Sequence, residues 1–479
     1  MNIKEYFKLD YDLNIKEIMS DSRKVCEDAI FFCIKGLTND AHKYVMQAID
    51  NGAICIVHSD DVDKKDGITY IKVGNTMDAL NKFCVFFYEE ACNKLRTYGV
   101  TGTNGKTTSC YVMYDLLNKL NTKSGYIGTL GYEYDDEMHD QYFTTPDVSD
   151  LHKMLYEMMK ADCKAAAIEV SSQGLDLHRT DSVNFDCAVY TNLTHDHLDY
   201  HKNFENYFTA KARLFNTMRK DGVAVINIDD PYGERMCKEC SCRFVTTGID
   251  NDATYRAINL KFQEFGSEFD LLYKNNIYPV KTNLVAKFNI SNLLGVIASL
   301  SETGYALEDI IPLLDSIKSV QGRCVHINEG QNFNVIVDYA HTPDGFIKIL
   351  DYAKAITPND KKIYVVFGLR GSGDMEKRPV CGKIVDEYCD EIYITCDDNH
   401  YEDINLILDG IEEGIKNHKA HRFEWRDQAI EAAIKSMHEG DTLCILSKGN
   451  EKFYKIGDGK VPYEGDEEVS RRVLKNIVK

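Results

Sequence analysis

Short apolar runs alternate with polar turns and helical periods along nearly the whole chain. Residues 1–96 carry AIFFCIKG and GAICIVHS between polar turns, the pattern of a small α/β unit. YGVTGTNGKTTSCYVMYDLL then reads as a strand, a glycine loop and a helix. AAAIEV, FDCAVYTNL and GVAVINID follow, separated by helical periods. Continuous apolar runs of this kind are buried on both faces, as strands of a parallel sheet are. Residues 251–284 alternate instead, predicting antiparallel strands, and FNISNLLGVIASLSETG predicts a helix after them. From about residue 321, FNVIVDYA, KKIYVVFGL, EIYITCDD and DTLCILSKG are spaced by helical segments, predicting a second parallel α/β domain. The expectation is an α/β protein of three domains, at 1–96, 97–320 and 321–479.

Composition narrows the functional classes. The 479 residues are 44% hydrophobic and 28% charged, a globular profile. With 76 acidic and 56 basic side chains, the formal charge is -20. That argues against a general nucleic-acid or anionic-membrane binder, because no surplus of cations exists to neutralise phosphates. A local phosphate pocket remains compatible, since it needs only a few donors. The N-terminal segment is charged throughout, and no stretch approaches the roughly 20 apolar residues that span a bilayer. A cytoplasmic protein without membrane insertion is expected, and its 16 Cys are then reduced thiols rather than a disulfide framework. Cys33, Cys55, Cys187 and Cys444 lie in apolar runs and read as packing residues. Cys237, Cys240 and Cys242 form a denser cluster, but no second ligand pair at zinc spacing accompanies it. No interface patch is legible, so the oligomeric state is open, with a monomer compatible.

Between the first strand and helix of the middle region, Gly102 to Thr107 read GTNGKT, a glycine loop closing on the GK[ST] of a phosphate loop. Gly102, Thr103, Asn104 and Gly105 would let backbone N–H groups wrap a phosphate at a helix N-terminus. Lys106 would reach the outer phosphates, Thr107 would coordinate magnesium, and Thr108 follows in the same turn. The loop predicts binding of ATP or GTP, and no NKxD guanine signature follows. By itself it fits a motor, a kinase, a GTPase switch or a ligase.

Other residues extend the site. Glu169 ends the strand AAAIEV, where a carboxylate could face magnesium or simply meet solvent. Thr194 to His201 concentrate three histidines and two aspartates at the end of a probable parallel strand, the usual place for ligands in α/β sheets. A zinc-protease arrangement is absent, and a magnesium or substrate site suits the neighbouring loop better. Lys211 falls on a helix face with Phe208 and Phe215. It could be a surface lysine, a modified one or a phosphate ligand, and chemistry alone leaves these open.

The ordered set DSR, FFCIKG, DAHKY, TGTNGKTT, TTPD, EVSSQGL, NLTHDHLDYH, ENYFTAKARLF, DYAHTPD and KGNE resembles the Mur ligase family, over essentially the whole chain. Its members are ATP-dependent amide-bond formers of cell-wall precursor assembly. The likeness is to those that add the third residue of the stem peptide. The resemblance implies a nucleotide-sugar domain, a central P-loop ATPase domain and a Rossmann-like C-terminal domain for the incoming amino acid. It implies ATP, magnesium, UDP-N-acetylmuramoyl dipeptide and a free amino acid as the reacting set, joined through an acyl phosphate. Ser22, Thr144, Thr145, Ser171 and Arg179 would hold the UDP-sugar. Lys106, Thr107, Glu169 and His197 would form the phosphate and magnesium set, with Lys211 as a carbamylated lysine. Asn292, Arg323, Asp338 and His341 would approach the nucleotide.

The chain departs from the family pattern at the amino-acid pocket. Where diaminopimelate-adding members show Asn-Pro-Arg, this chain has Asp398-Asn399-His400, and Gly373 replaces another substrate-contacting Arg. His400 thus stands at an Arg position, and Glu451 is retained. Loss of two guanidinium groups argues against a second carboxylate on the incoming residue. Asp398 and Glu451 point instead to a basic side chain, so lysine or ornithine is the expectation. Two alternatives accompany it: a paralogous amide ligase acting on another peptide or polymer, and a nucleotide-binding regulatory protein without turnover.

Overall fold

The computed structural model describes residues 1–36, 39–263 and 265–477. Three sheets organise the chain, and a two-stranded hairpin, Phe453–Ile456 with Gly459–Pro462, stands apart from them. The first sheet pairs Glu17–Met19, Ala29–Phe32, Ala53–His58 and Thr69–Lys72 in chain order, all parallel. Its core gathers Ile30, Phe32, Cys55, Val57 and Phe83. Phe83 comes from the helix Thr76–Phe87, whose N-terminus is capped by the Asn75 side chain accepting from Met77 N and Asp78 N.

The second sheet has eleven strands. At its middle Arg96–Thr101 lies parallel between Ala165–Glu169 and Cys187–Tyr190. Tyr98 and Val100 face the helices Lys106–Lys119 and Lys287–Glu302 on one side. On the other side Ala166, Ile168 and Ala188 pack on Val148–Lys160 and Phe204–Asn216. Burial on both faces is why these runs lack polar alternation. The alternating stretch forms the antiparallel strands Tyr255–Gln263, Gly266–Tyr273 and Asn276–Thr282 at one edge.

In the third sheet the parallel strands Asn334–Asp338, Thr442–Leu446, Ile363–Leu369, Glu391–Cys396 and Ala420–Arg422 lie side by side. A two-residue antiparallel strand, Val325–His326, closes one edge. Helices cover both faces, giving two cores on either side of the sheet. The carboxyl ends of the central strands of the second and third sheets both lead into the loops that form the site. In α/β folds the carboxyl end is where ligands are held. All 16 cysteines are free thiols, and Cys33, Cys55, Cys187 and Cys444 are buried as apolar fillers. In the CKECSC cluster, Cys240 Sγ donates to Met236 O and Cys242 Sγ meets Met218 Sδ at 3.8 Å, which is local packing. No helix among the described residues is long and apolar enough to cross a membrane.

Candidate functional site

The strand Arg96–Thr101 ends in the glycine loop, and the helix beginning at Lys106 follows at once. Gly105 adopts φ +88°, and a Cβ there would lie 2.2 Å from Asn292 Oδ1. Only glycine gives both that backbone and that approach. The same contact seats Asn292 against the phosphate loop. Lys106 Nζ donates to Gly102 O and Thr103 O at 2.8 and 2.9 Å, curled over the loop it serves. Burial pulls its ammonium below the ordinary lysine value, opposed by the charges of Glu169 and Asp196. Thr103 N donates to Asn192 O, and Asn104 N to Asn192 Oδ1, which anchors the loop to the strand-end segment beside it. Thr108 is buried in the helix beneath.

Glu169 is fully buried, yet its carboxylate is well satisfied. Thr107 Oγ1 donates to Oε2 at 3.0 Å, Tyr126 OH to Oε1 at 2.6 Å, and Thr129 N to Oε1 at 2.9 Å. Tyr126 and Thr129 carry no motif, so their part in the site was illegible in sequence. Arg323 arrives from the start of the third unit. Its Nη2 donates to Thr107 Oγ1 at 3.3 Å, while the guanidinium stacks 4.3 Å from the Tyr339 ring centroid. Asn104 Nδ2 also reaches across to Asp344 Oδ2 at 2.9 Å. The phosphate loop and the third sheet thus meet through direct polar contacts.

His197 has φ +51°, a left-handed conformation uncommon outside glycine and asparagine. Burial lowers its pKa, favouring the neutral imidazole that can ligate a cation. Asp196 beside it stays well below the carboxylate range. Burial would raise it, but the neighbouring His341 and the charges of His197 and Lys377 outweigh that. His341 Nε2 lies 3.8 Å from Asp196 Oδ2, and its Nδ1 meets Tyr339 O at 2.9 Å. Asp338 serves the backbone locally, accepting from Cys324 N at 2.7 Å and Ala340 N at 2.6 Å. Of the other histidines, His195 reaches Asp374 at 3.2 Å and His201 meets Ser172 Oγ at 2.9 Å.

Lys211 is 1% exposed, and its Nζ sits 4.5 Å from the Tyr207 ring centroid. No carboxylate pairs with it among the described residues. Burial, reinforced by Lys106, pushes its pKa well below the ordinary value, so the amine is held towards its neutral, nucleophilic form. The structure removes the surface-lysine alternative.

The expected sugar-binding residues divide into two groups. Thr145 Oγ1 donates to Glu169 O at 2.8 Å and accepts from Ser171 N at 2.8 Å. Arg179 Nη1 donates to Thr145 O at 2.8 Å. Thr144 Oγ1 lies 3.1 Å from Thr129 Oγ1. These four therefore surround the backbone at the end of the Glu169 strand. Ser22 lies apart in the first sheet's unit, where its Oγ donates to Gln47 Oε1 at 2.8 Å.

A cleft of about 1060 Å³ runs from the phosphate loop to the third sheet's loops; Thr144 lines it, while Ser22, Thr145, Ser171, Arg179 and Lys211 do not. Lys106, Thr107, Glu169, His197, Asn292, Arg323, Asp338 and His341 line it, as do Asp398 and Glu451 at its far end. Here the acidic residues are not free for a basic ligand. Lys448, fully buried, donates to Asp397 at 3.0 Å, Asp398 at 2.9 Å and Glu451 at 3.2 Å. The protein's own ammonium occupies the place assigned above to the side chain of an incoming lysine or ornithine. The acids push the Lys448 pKa far up against the burial that would lower it.

The family model for the Mur ligase middle domain matches residues 100–300, and that for the Mur ligase, glutamate ligase domain matches residues 322–449. UDP-N-acetylmuramoyl-L-alanyl-D-glutamate--2,6-diaminopimelate ligase 1 of Clostridium acetobutylicum is 36% identical over 463 residues, covering 96% of this chain and 95% of its own. The Fusobacterium nucleatum enzyme named as the 2,6-diaminopimelate ligase is 35% identical, covering 98% of this chain and 96% of its own. A solved structure of a ligase with that name superposes with a TM-score of 0.71 at 26% identity, covering 100% of this chain and 99% of that one. These relatives overturn the expectation of lysine or ornithine. The acids on which that expectation rested, Asp398 and Glu451, are already hydrogen-bonded to Lys448. The chain belongs to the Mur ligase family and is an ATP-dependent, amide-bond-forming ligase.

Proposed function

We propose that the chain joins 2,6-diaminopimelate to UDP-N-acetylmuramoyl-L-alanyl-D-glutamate, driven by ATP. The observation that carries this reading is the single cleft in which the phosphate loop, Arg323 and the Lys448 cluster meet. Its support for the substrates is the near-complete coverage shared with relatives of that name.

In this reading the terminal glutamate carboxylate attacks the γ-phosphorus of ATP, and ADP leaves. Lys106 and Arg323 offset the charge that spreads over the transferring group. The acyl phosphate then accepts the α-amine of diaminopimelate. The tetrahedral adduct expels phosphate and the amine loses its proton. Thr144, Thr145, Ser171 and Arg179 hold the sugar-linked substrate, with Ser22 contributing from the first unit. Asn292, Asp338 and His341 frame the nucleotide.

Thr107 and Glu169 offer hydroxyl and carboxylate oxygens, the donors that suit magnesium, and His197 would complete the set with a neutral imidazole. Carbamylated Lys211 would add a carboxylate: its neutral amine bonds to the carbon of CO₂, a proton departs, and the side chain becomes an anion. Magnesium held by these residues would supply positive charge to offset that of the phosphates. Lys211 fits this because burial lowers the pKa of its amine and no carboxylate pairs with it among the described residues. Dependence on ATP supports a cytoplasmic setting.

The reading is tested by ADP release, which should require both the dipeptide substrate and diaminopimelate. Oxygen-18 in the glutamate carboxylate should appear in the released phosphate. Unlabelled phosphate would reject the acyl-phosphate route.

A further inference from the structure

Arg370 follows the strand Ile363–Leu369 and lines the far end of the cleft. Its Nε donates to His400 Nε2 at 2.8 Å. No carboxylate pairs with its guanidinium among the described residues, so both terminal nitrogens remain available. The loop carrying it is rigidly held. Arg378, itself 3% exposed, donates to the two Glu402 oxygens at 2.6 and 2.8 Å and to Arg370 O at 3.4 Å. Glu402 also accepts from Ser372 N at 2.8 Å. Gly371 N donates to Asp398 O at 2.7 Å, and a Cβ at Gly371 would lie 2.2 Å from Asn399 O. The Arg370 loop and the Asp398–His400 loop therefore form one unit, packed too closely for a side chain at residue 371.

Charge at this end follows from the same contacts. Lys448 pairs with the three acids, and Lys455 Nζ lies 3.9 Å from Asp398 Oδ2, so the cations of this cluster are already engaged by its own carboxylates. Arg370 is then a cation with an unfilled bidentate fork, the group that matches a carboxylate in geometry as well as charge. His400 accepts at Nε2 and so fixes the plane of that fork.

We infer that Arg370, oriented by His400, reads the distal carboxylate of the incoming diaminopimelate. Arg370 is the specificity-determining residue and His400 a positioning residue. The guanidinium that neither Gly373 nor His400 can supply comes instead from a different place in the same pair of loops. This inference rests on the function proposed above.

The test compares steady-state kinetics of wild type, Arg370→Met, Arg370→Lys and His400→Ala. Losing a charge-assisted pair to a carboxylate should raise KM for diaminopimelate about tenfold to a hundredfold in Arg370→Met. KM for ATP and for the dipeptide substrate should stay at the wild-type values. Arg370→Lys should recover part of the loss, and His400→Ala should show a smaller rise in the same constant. Lysine is diaminopimelate without the distal carboxylate, so its competition against diaminopimelate should strengthen relative to that substrate in Arg370→Met. Wild type that uses diaminopimelate, with Arg370→Met at an unchanged KM, overturns this inference alone. A parallel rise in all three KM values also overturns it, showing a structural role. Wild type that uses no diaminopimelate overturns the proposed function and this inference together.

Discussion

Arg323 Nη2 donates to Thr107 Oγ1 at 3.3 Å, and that hydroxyl in turn donates to Glu169 Oε2 at 3.0 Å. A guanidinium from the third unit therefore touches the last residue of the phosphate-loop motif and, through it, the buried carboxylate. Stacking on Tyr339 fixes the plane of the guanidinium.

Arg323→Lys keeps the charge but loses the planar stack and the fork. We expect kcat/KM for ATP to fall about tenfold to a hundredfold. Melting temperature should change little, because the contact is between units rather than within a core. Initial rates of phosphate release would measure this, and wild-type rates would remove Arg323 from the nucleotide site.

On the carbamate role proposed for it, Lys211→Ala should lower turnover about a hundred- to thousandfold. Acetate or formate should restore part of the rate, because a small carboxylate can enter the space left behind. Depleting CO₂ should slow the wild type and leave the variant unaffected. Full activity in Lys211→Ala would contradict the assignment.

Glu169→Gln retains the shape of a side chain that Tyr126 and Thr129 hold in place, but removes its charge. The magnesium concentration for half-maximal activity should rise about tenfold or more. Titration of rate against magnesium reads this directly. An unchanged curve would exclude Glu169 from the metal set.

How much was readable before the structure depended on where the information sits. The phosphate loop was legible because its glycines are needed by backbone geometry, as Gly105 demonstrates with φ +88° and its contact with Asn292. The three sheets followed from continuous apolar runs. Lys448 was not legible, since a lysine in SKGNE looks like a solvated loop residue until three acids close around it. Tyr126 and Thr129 reach Glu169 across neighbouring strands, which no local spacing records. The amino-acid pocket was misread for the same reason: charges were tallied along the chain, while their pairing occurs in space.

Replacing Lys448 with Met should destabilise the protein by roughly 3–5 kcal/mol, because Asp397, Asp398 and Glu451 would be left as buried charges without their partner. The loss should be largest near neutral pH and shrink in acid, where those carboxyls take up protons. Denaturant unfolding at two pH values would measure both. An equal loss at each would show that packing rather than charge is responsible.

His152 is fully buried, with Nε2 2.7 Å from Ser182 Oγ, and burial lowers its pKa from 6.5 to about 4. Between those values the unfolded chain binds a proton that the folded chain refuses. Its contribution to stability is therefore complete above pH 6.5 and declines as pH falls towards 4. The slope is about 1.4 kcal/mol per pH unit at most. His152→Gln should show a shallower acid dependence by that amount in unfolding experiments, and an unchanged slope would contradict the assignment.

The most direct test of the central claim is product analysis by mass spectrometry. The protein is incubated with ATP, magnesium, UDP-N-acetylmuramoyl-L-alanyl-D-glutamate and a panel of amino acids. A tripeptide product carrying diaminopimelate is expected, formed with equal amounts of ADP and phosphate. A product carrying a different amino acid in preference, or no product with any of them, would contradict it.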